Sequence, residues 1–170
     1  MRLTKFSDYA LRVLMLAASK NERHTTIEEA AHLYGISAPH LKKVVRTLTR
    51  EGFLTGKRGR SGGFKLAMKP EDIVLGDVVR ATEPDFGLVE CFLPDNRCGI
   101  TCGCKLPPVL GRALAAMLGV LDEYSLADIS IDAASLANLP LASGEEAQPT
   151  RRPRSLAEGR VGARQRRHAP

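Results

Sequence analysis

The fold is decided by residues 26–67, which read TIEEAAHLYGISAPHLKKVVRTLTREGFLTGKRGRSGGFKLA. Thr26 precedes apolar residues at helical spacing, and Glu29 follows three residues later, in the pattern of a capping box. Gly35 is placed to end this helix, and Ser37 is placed to cap a second one. Two capped helices joined by so short a turn predict a helix-turn-helix.

A glycine-rich hairpin follows the second helix. Gly52 ends that helix, and residues 53–55 and 64–67 are predicted to form two short strands. Between the strands, Gly62 and Gly63 supply the positive φ angles that a tight hairpin needs. Because the hairpin directly follows a helix-turn-helix, we interpret it as a wing.

The segments on either side of this motif are mainly helical. Apolar spacing predicts a helix over residues 4–19 and another that ends near Thr82, whereas scattered prolines and glycines predict an irregular loop over 84–105. A long helix from Pro107 to about Tyr124 is apolar on more faces than one neighbour covers. We therefore expect it to pack against a partner subunit as well.

The predicted fold class is mainly α with a small β-wing, a winged helix-turn-helix plus a long C-terminal dimerisation helix. The last segment is rich in arginine and poor in large apolar residues, which predicts disorder. The predicted organisation is a DNA-binding domain at residues 1–82, a cysteine-rich loop at 83–105, a dimerisation helix at 106–130 and a disordered tail at 131–170.

Positive charge is concentrated in two places on an otherwise acidic chain. The formal net charge is +6, but residues 39–69 alone carry nine Lys or Arg against Glu51, and residues 144–170 carry seven Arg against three Glu. The rest of the chain is net negative. A basic helix followed by a basic hairpin predicts a polyanionic partner, double-stranded DNA.

The candidate DNA-binding residues lie on the second helix, at its caps and in the wing. A helix in the major groove reads bases near its N-terminus, while Lys and Arg beside it bind phosphates. Arginines that flank Gly59 suit a narrow minor groove. The predicted set is Thr26, Ser37, His40, Lys42, Lys43, Arg46, Thr47, Arg58 and Arg60.

The N-terminus lacks a signal-peptide pattern, and no stretch approaches the length of an apolar membrane span. We therefore expect a cytoplasmic protein without a membrane partner. Because the cytosol is reducing, the four cysteines within residues 91–104 are better explained as metal ligands or reactive thiols than as disulfides.

Thiolates are soft ligands that suit zinc or an iron–sulfur cluster. The loop lacks the C-x2-C pairs of a structural zinc site, and Cys102 and Cys104 are too close in sequence to serve easily as two ligands of one small site. The most natural ligand set for a metal site on this loop is therefore three of the cysteines and one ligand that is distant in sequence. The histidines show no spacing that would join them to the cysteines.

Several of these stretches resemble the NsrR family of nitric-oxide-sensing iron–sulfur repressors, which belongs to a winged-helix superfamily with IscR and RirA. The resemblance covers about residues 1–130. It lies in MRLTKFSDYALR (residues 1–12), RGRSGGFKLA (58–67), VECF (89–92) and the spacing of Cys98 to Cys104.

The resemblance implies a homodimer with one cluster per subunit, of the 4Fe-4S or 2Fe-2S type. Its implied ligands are Cys91, Cys98 and Cys104 together with the partner subunit's Asp8. It further implies that the cluster-bound form binds operator DNA and represses, and that nitric oxide releases the DNA. Cys102 is an extra thiol relative to this ligand set.

Other interpretations of the same residues remain open. Asp8 and Arg12 lie one helical turn apart, a spacing that also forms ordinary surface ion pairs. The switch could respond to iron or to thiol oxidation instead of nitric oxide. A different class, a small redox or electron-transfer protein, is disfavoured because no C-x-x-C pair and no nucleotide-binding glycine motif is present; the sequence predicts a protein that is not an enzyme.

Overall fold

A computed structural model describes residues 2–20, 23–57, 59, 62–132 and 135 of the chain. It is mainly helical with one two-stranded sheet, as the sequence predicted. The helices are α1 (Lys5–Ser19), α2 (Ile27–Tyr34), α3 (Ala38–Arg50), α4 (Leu75–Thr82), α5 (Leu106–Asp122) and α6 (Leu126–Ile129). The strands are β1 (Leu54–Lys57) and β2 (Gly63–Leu66), and short 3-10 turns lie at Pro70–Asp72, Glu90–Phe92 and Thr101–Gly103.

One hydrophobic core joins α1, α3, the hairpin and α4. Leu14 of α1, Leu41 and Leu48 of α3 and Phe64 of β2 are all at most 1% exposed. Burial of a side chain of this size contributes about 1.5–3 kcal/mol to the free energy of unfolding. This packing holds the opposite face of α3 toward solvent.

The two caps of the helix-turn-helix differ from the predicted pattern. The Thr26 hydroxyl accepts a hydrogen bond from the Glu29 amide at 3.0 Å, as expected, but the Glu29 carboxylate pairs with Lys20 at 2.8 Å instead of closing a capping box. Gly35 adopts the left-handed conformation and ends α2. Ser37 precedes α3, yet its hydroxyl contacts His40 Nδ1 at 2.9 Å and caps no amide.

The wing is anchored to the segment before α2. Strand β1 pairs antiparallel with β2, and Thr25 adds a bridge in which its N–H and C=O each bond to Phe64 at 2.8 Å. Both strands begin one residue away from their predicted starts. Gly63 lies directly over Thr25, where a Cβ would come 2.6 Å from the Thr25 carbonyl oxygen.

Gly63→Ala is therefore expected to lower the free energy of unfolding by about 1–3 kcal/mol, because the added methyl group must push the wing away from Thr25. Thermal unfolding followed by circular dichroism measures this effect. Gly99→Ala is the matched control, since a Cβ there meets no atom within 4 Å. Equal melting temperatures for the two variants would contradict the anchoring of the wing at Thr25.

The long helix ends at Asp122, close to the predicted end near Tyr124, and residues 123–130 do not continue it. Ser125 starts α6 with a capping box to Asp128, and Leu126 returns to the core with no exposed surface. This short helix was missed because four residues are too few for a periodic pattern. The tail from residue 136, like residues 133 and 134, lies outside the described residues, so its disorder stays a prediction.

A bidentate ion pair fastens α5 to α4. The Arg80 guanidinium donates to both carboxylate oxygens of Asp122, each at 2.6 Å, and this hydrogen bonding lowers the pKa of Asp122. Nevertheless, no residue of α5 is buried in the single chain. Of the helices described, none has the length and apolar character needed to cross a membrane.

Candidate DNA interface and cysteine loop

Helix α3 presents a basic face to solvent. Leu41, Val44 and Leu48 are buried, which turns the side chains between them outward. This α3 sequence contains no acidic residue, and Glu51, immediately after it, pairs with Arg50 at 2.9 Å. The outward side chains that are exposed include His40, Lys42, Lys43 and Arg46.

The other predicted DNA-binding residues have more varied positions. Thr47 is half-buried on α3, and Ser37 is exposed just before it. The Thr26 hydroxyl accepts the cap hydrogen bond from Glu29, which leaves its own O–H as a donor for a DNA contact. Arg58 and Arg60 lie outside the described residues, and their contact with DNA stays a prediction.

The cysteine loop is held by a few local hydrogen bonds. The Asn96 amide group donates to the Thr101 hydroxyl at 2.9 Å, and the Cys98 amide donates back to Asn96 Oδ1 at 3.0 Å. The Glu90 carboxylate accepts from the Arg97 amide at 3.0 Å. Each of these hydrogen bonds joins residues that are at most seven positions apart in sequence.

All four thiols of this loop are free. Cys91, Cys98 and Cys104 are half-buried, whereas Cys102 is exposed. Across the described residues, no three His, Cys, Asp or Glu side chains lie together as they would around a metal ion. The donor chemistry fits an iron–sulfur cluster, since three half-buried thiols, which are soft ligands, lie on one short segment.

Asp8 lies on α1, and within the described residues it does not join the cysteines in a group of three or more potential metal ligands. Its carboxylate accepts from Arg12 Nε at 2.9 Å, and its side chain is 45% exposed, so a second molecule can reach it. Arg12 in turn lies over the Tyr34 ring, 6.0 Å from its centroid, and its backbone carbonyl accepts from the Tyr34 hydroxyl at 2.9 Å. Burial raises the pKa of Tyr34, so this hydroxyl stays protonated at neutral pH.

A second set of contacts, missed at the sequence level, ties the start of α1 to the start of the cysteine loop. Glu83 accepts from the Thr4 amide at 2.8 Å, and the Thr82 hydroxyl donates to the Ser7 hydroxyl at 2.9 Å. The partners are more than seventy residues apart in sequence, beyond the reach of any local pattern. Helix α1 is thus positioned by the residues from which the loop departs.

Comparison with known proteins identifies the family. The family model Rrf2, described as an iron-dependent transcriptional regulator, matches residues 3–132. The HTH-type transcriptional regulator NsrR of Geobacillus kaustophilus is 47% identical over 141 residues, which covers 82% of this chain and 96% of that relative. NsrR of Bacillus subtilis is 48% identical over 131 residues, covering 76% and 90%.

Among solved structures, CymR, the global cysteine regulator of B. subtilis, matches 76% of this chain and 96% of its own with a TM-score of 0.60 and 24% identity. That similarity supports the shared fold. The predicted resemblance to NsrR, the fold class and the assignment as a DNA-binding regulator rather than an enzyme are confirmed. The chain belongs to the Rrf2 family of iron-dependent transcriptional regulators.

Proposed function

We propose that this regulator is a homodimeric repressor that holds operator DNA while an iron–sulfur cluster is bound and releases the DNA in response to nitric oxide. The observation that carries the proposal is the set of three half-buried free thiols on one short loop, in a chain that also presents a basic helix. A repressor of this kind acts in the cytoplasm, where its DNA is.

The basic face of α3 supports the DNA-reading part of the proposal. His40 lies in the first turn of α3, where base edges are within reach, and Lys43 and Arg46 lie further along the helix, where they can bind phosphates. The wing would place Arg58 and Arg60 against the neighbouring minor groove. A polyanion is the partner that such an unneutralised surface favours.

Helix α5 supports the homodimer. Leu106, Val109 and Val120 are 51%, 61% and 54% exposed, although a helix of this apolar character normally buries one face. A second copy of the chain would cover these side chains in a two-fold interface. The two α3 helices, one from each subunit, would then read two half-sites on the DNA.

Cys91, Cys98 and Cys104 would hold one cluster per subunit, of the 4Fe-4S or 2Fe-2S type, together with the partner subunit's Asp8. When bound, the cluster supplies iron–thiolate bonds that order the loop and a centre that reacts with nitric oxide. Ordering matters because a loop this rich in glycine and proline loses much conformational entropy when it is fixed. The hydrogen bonds of Thr4 and Ser7 with the end of α4 would link the position of the loop to the position of α1.

Metal analysis of anaerobically purified protein tests the proposal. We expect iron and acid-labile sulfide together with a visible absorption band, and DNA binding that depends on this band. A thiol switch would instead bind DNA without iron and lose binding on oxidation. An electron carrier would change its absorption on reduction without any change in DNA affinity.

Asp8→Ala is expected to leave the cluster in place and to change the rate at which nitric oxide bleaches it. An oxygen ligand can be replaced by water, whereas a thiolate cannot be replaced so easily. Stopped-flow absorbance under nitric oxide measures the rate, with Asp72→Ala as a control for an exposed carboxylate on another element. Identical rates for wild type and both variants would remove Asp8 from the ligand set.

A further inference from the structure

A small cavity lies between the first turns of α1 and the reading helix α3. Its volume is about 260 Å³, and it is built from two helices that are distant in sequence. The lining residues are Lys5, Phe6, Tyr9, His40, Lys43 and Val44.

Lys5, Tyr9 and Lys43 bring hydrogen-bond donors to this cavity for which the described residues supply no acceptor. Within the part of the chain that the structure describes, neither Lys5 nor Lys43 forms an ion pair, and the Tyr9 hydroxyl has no hydrogen-bond partner. His40 uses Nδ1 for its contact with Ser37, which leaves Nε2 free. The nearest acid along α1, Asp8, is already paired with Arg12.

The character of the cavity selects an anion. Two lysines repel a metal cation, and no carboxylate lines the cavity to attract one. Phe6 and the buried Val44 form an apolar wall on one side of the cavity, and hydrogen bonds from charged donors to an anionic acceptor are stronger than those between neutral groups. Phosphate oxygens of DNA are such acceptors, and they would lie beside a groove that α3 enters.

We propose that Lys5 and Tyr9 of α1, together with Lys43 of α3, bind one backbone phosphate of the operator DNA. The proposal deepens the DNA-reading function and rests on it. On this assignment α1 carries a DNA contact at Lys5 and, one turn further, the proposed cluster ligand Asp8. A displacement of α1 on loss of the cluster would then directly weaken the contact between Lys5 and the DNA backbone.

The test measures DNA affinity against salt for cluster-loaded protein by fluorescence anisotropy. The probes are a labelled duplex enriched by the wild-type protein from a random pool and an unrelated duplex. Lys5→Gln is expected to weaken binding to both duplexes by about tenfold and to lower the slope of log K against log salt by about 0.9, because one phosphate contact is lost. Tyr9→Phe is expected to weaken binding less and to leave the slope unchanged.

Lys69→Gln is the matched control, since it removes the same charge from an exposed lysine outside the cavity. Cluster absorbance of every variant is recorded, and Lys5→Arg is expected to restore the slope. The proposal is overturned if Lys5→Gln keeps the salt slope of the wild type. It is also overturned if Lys5→Gln loses no more DNA affinity than Lys69→Gln does, or no more than its own loss of cluster accounts for. The proposal is also overturned if the cavity binds inorganic phosphate but Lys5→Gln leaves the slope of log K against log salt for DNA unchanged.

This result is distinguishable from failure of the DNA-reading function itself. If Lys43→Gln weakens binding while Lys5→Gln does not, α3 reads DNA without help from α1 and the phosphate site is wrong. If the wild-type protein enriches no duplex, the DNA-reading function fails and the phosphate site fails with it.

Discussion

Cys98→Ala is expected to abolish both the visible cluster absorption and specific operator binding. Cys98 is half-buried, and its replacement removes one of the three thiolates proposed to hold the cluster. Affinity should fall to the nonspecific level, a loss of about 10³-fold or more. Iron analysis and anisotropy on the same sample measure the two losses together.

Cys102→Ala is the matched control for this prediction. Its thiol is exposed, unlike those of Cys91, Cys98 and Cys104, so its removal should leave both the absorption and the affinity unchanged. If the Cys102→Ala protein lacks the cluster absorption and the Cys98→Ala protein retains it, the proposed ligand set is wrong and Cys102 is a ligand.

Val120→Glu is expected to convert the proposed dimer into a folded monomer and to weaken operator binding by a factor of about 10²–10⁴. Val120 is 54% exposed in the single chain, so a carboxylate there costs the isolated fold little. In a two-fold interface the charge would be buried without a partner. Loss of the dimer also removes the avidity of two linked reading helices.

Sedimentation velocity and anisotropy measure these changes, and circular dichroism checks that the monomer is folded. Ala127→Glu introduces the same charge at an exposed position of α6 and should stay dimeric. A Val120→Glu protein that sediments as a dimer and binds DNA normally would place the subunit interface elsewhere than on α5.

The sequence was sufficient for the elements whose signals are local. Thr26, Gly35 and the apolar spacing of α3 predicted the helix-turn-helix because caps and periodicity act within a few residues. The same logic failed where a side chain had a distant competitor. Glu29 was expected to close a capping box, but Lys20 offers its carboxylate a full positive charge in place of a neutral amide.

The candidate site was predictable in its chemistry and not in its placement. The residue types alone identify four cysteines on one loop as candidate metal ligands, and a run of lysines and arginines as a candidate DNA-binding surface. The contact of Arg12 with Tyr34 and the cavity that joins Lys5 to Lys43 depend on how α1 packs against the helix-turn-helix. That packing is tertiary, and no periodicity in α1 reveals which polar residues it brings together.

An anaerobic titration of the protein–DNA complex with nitric oxide tests the central claim most directly. Cluster absorbance and anisotropy of the labelled enriched duplex are followed in the same cuvette. We predict that DNA is released in step with the loss of absorbance, and that Cys102→Ala behaves like the wild type. DNA that stays bound after the cluster absorbance has gone would contradict the claim that the cysteine loop controls the reading helix.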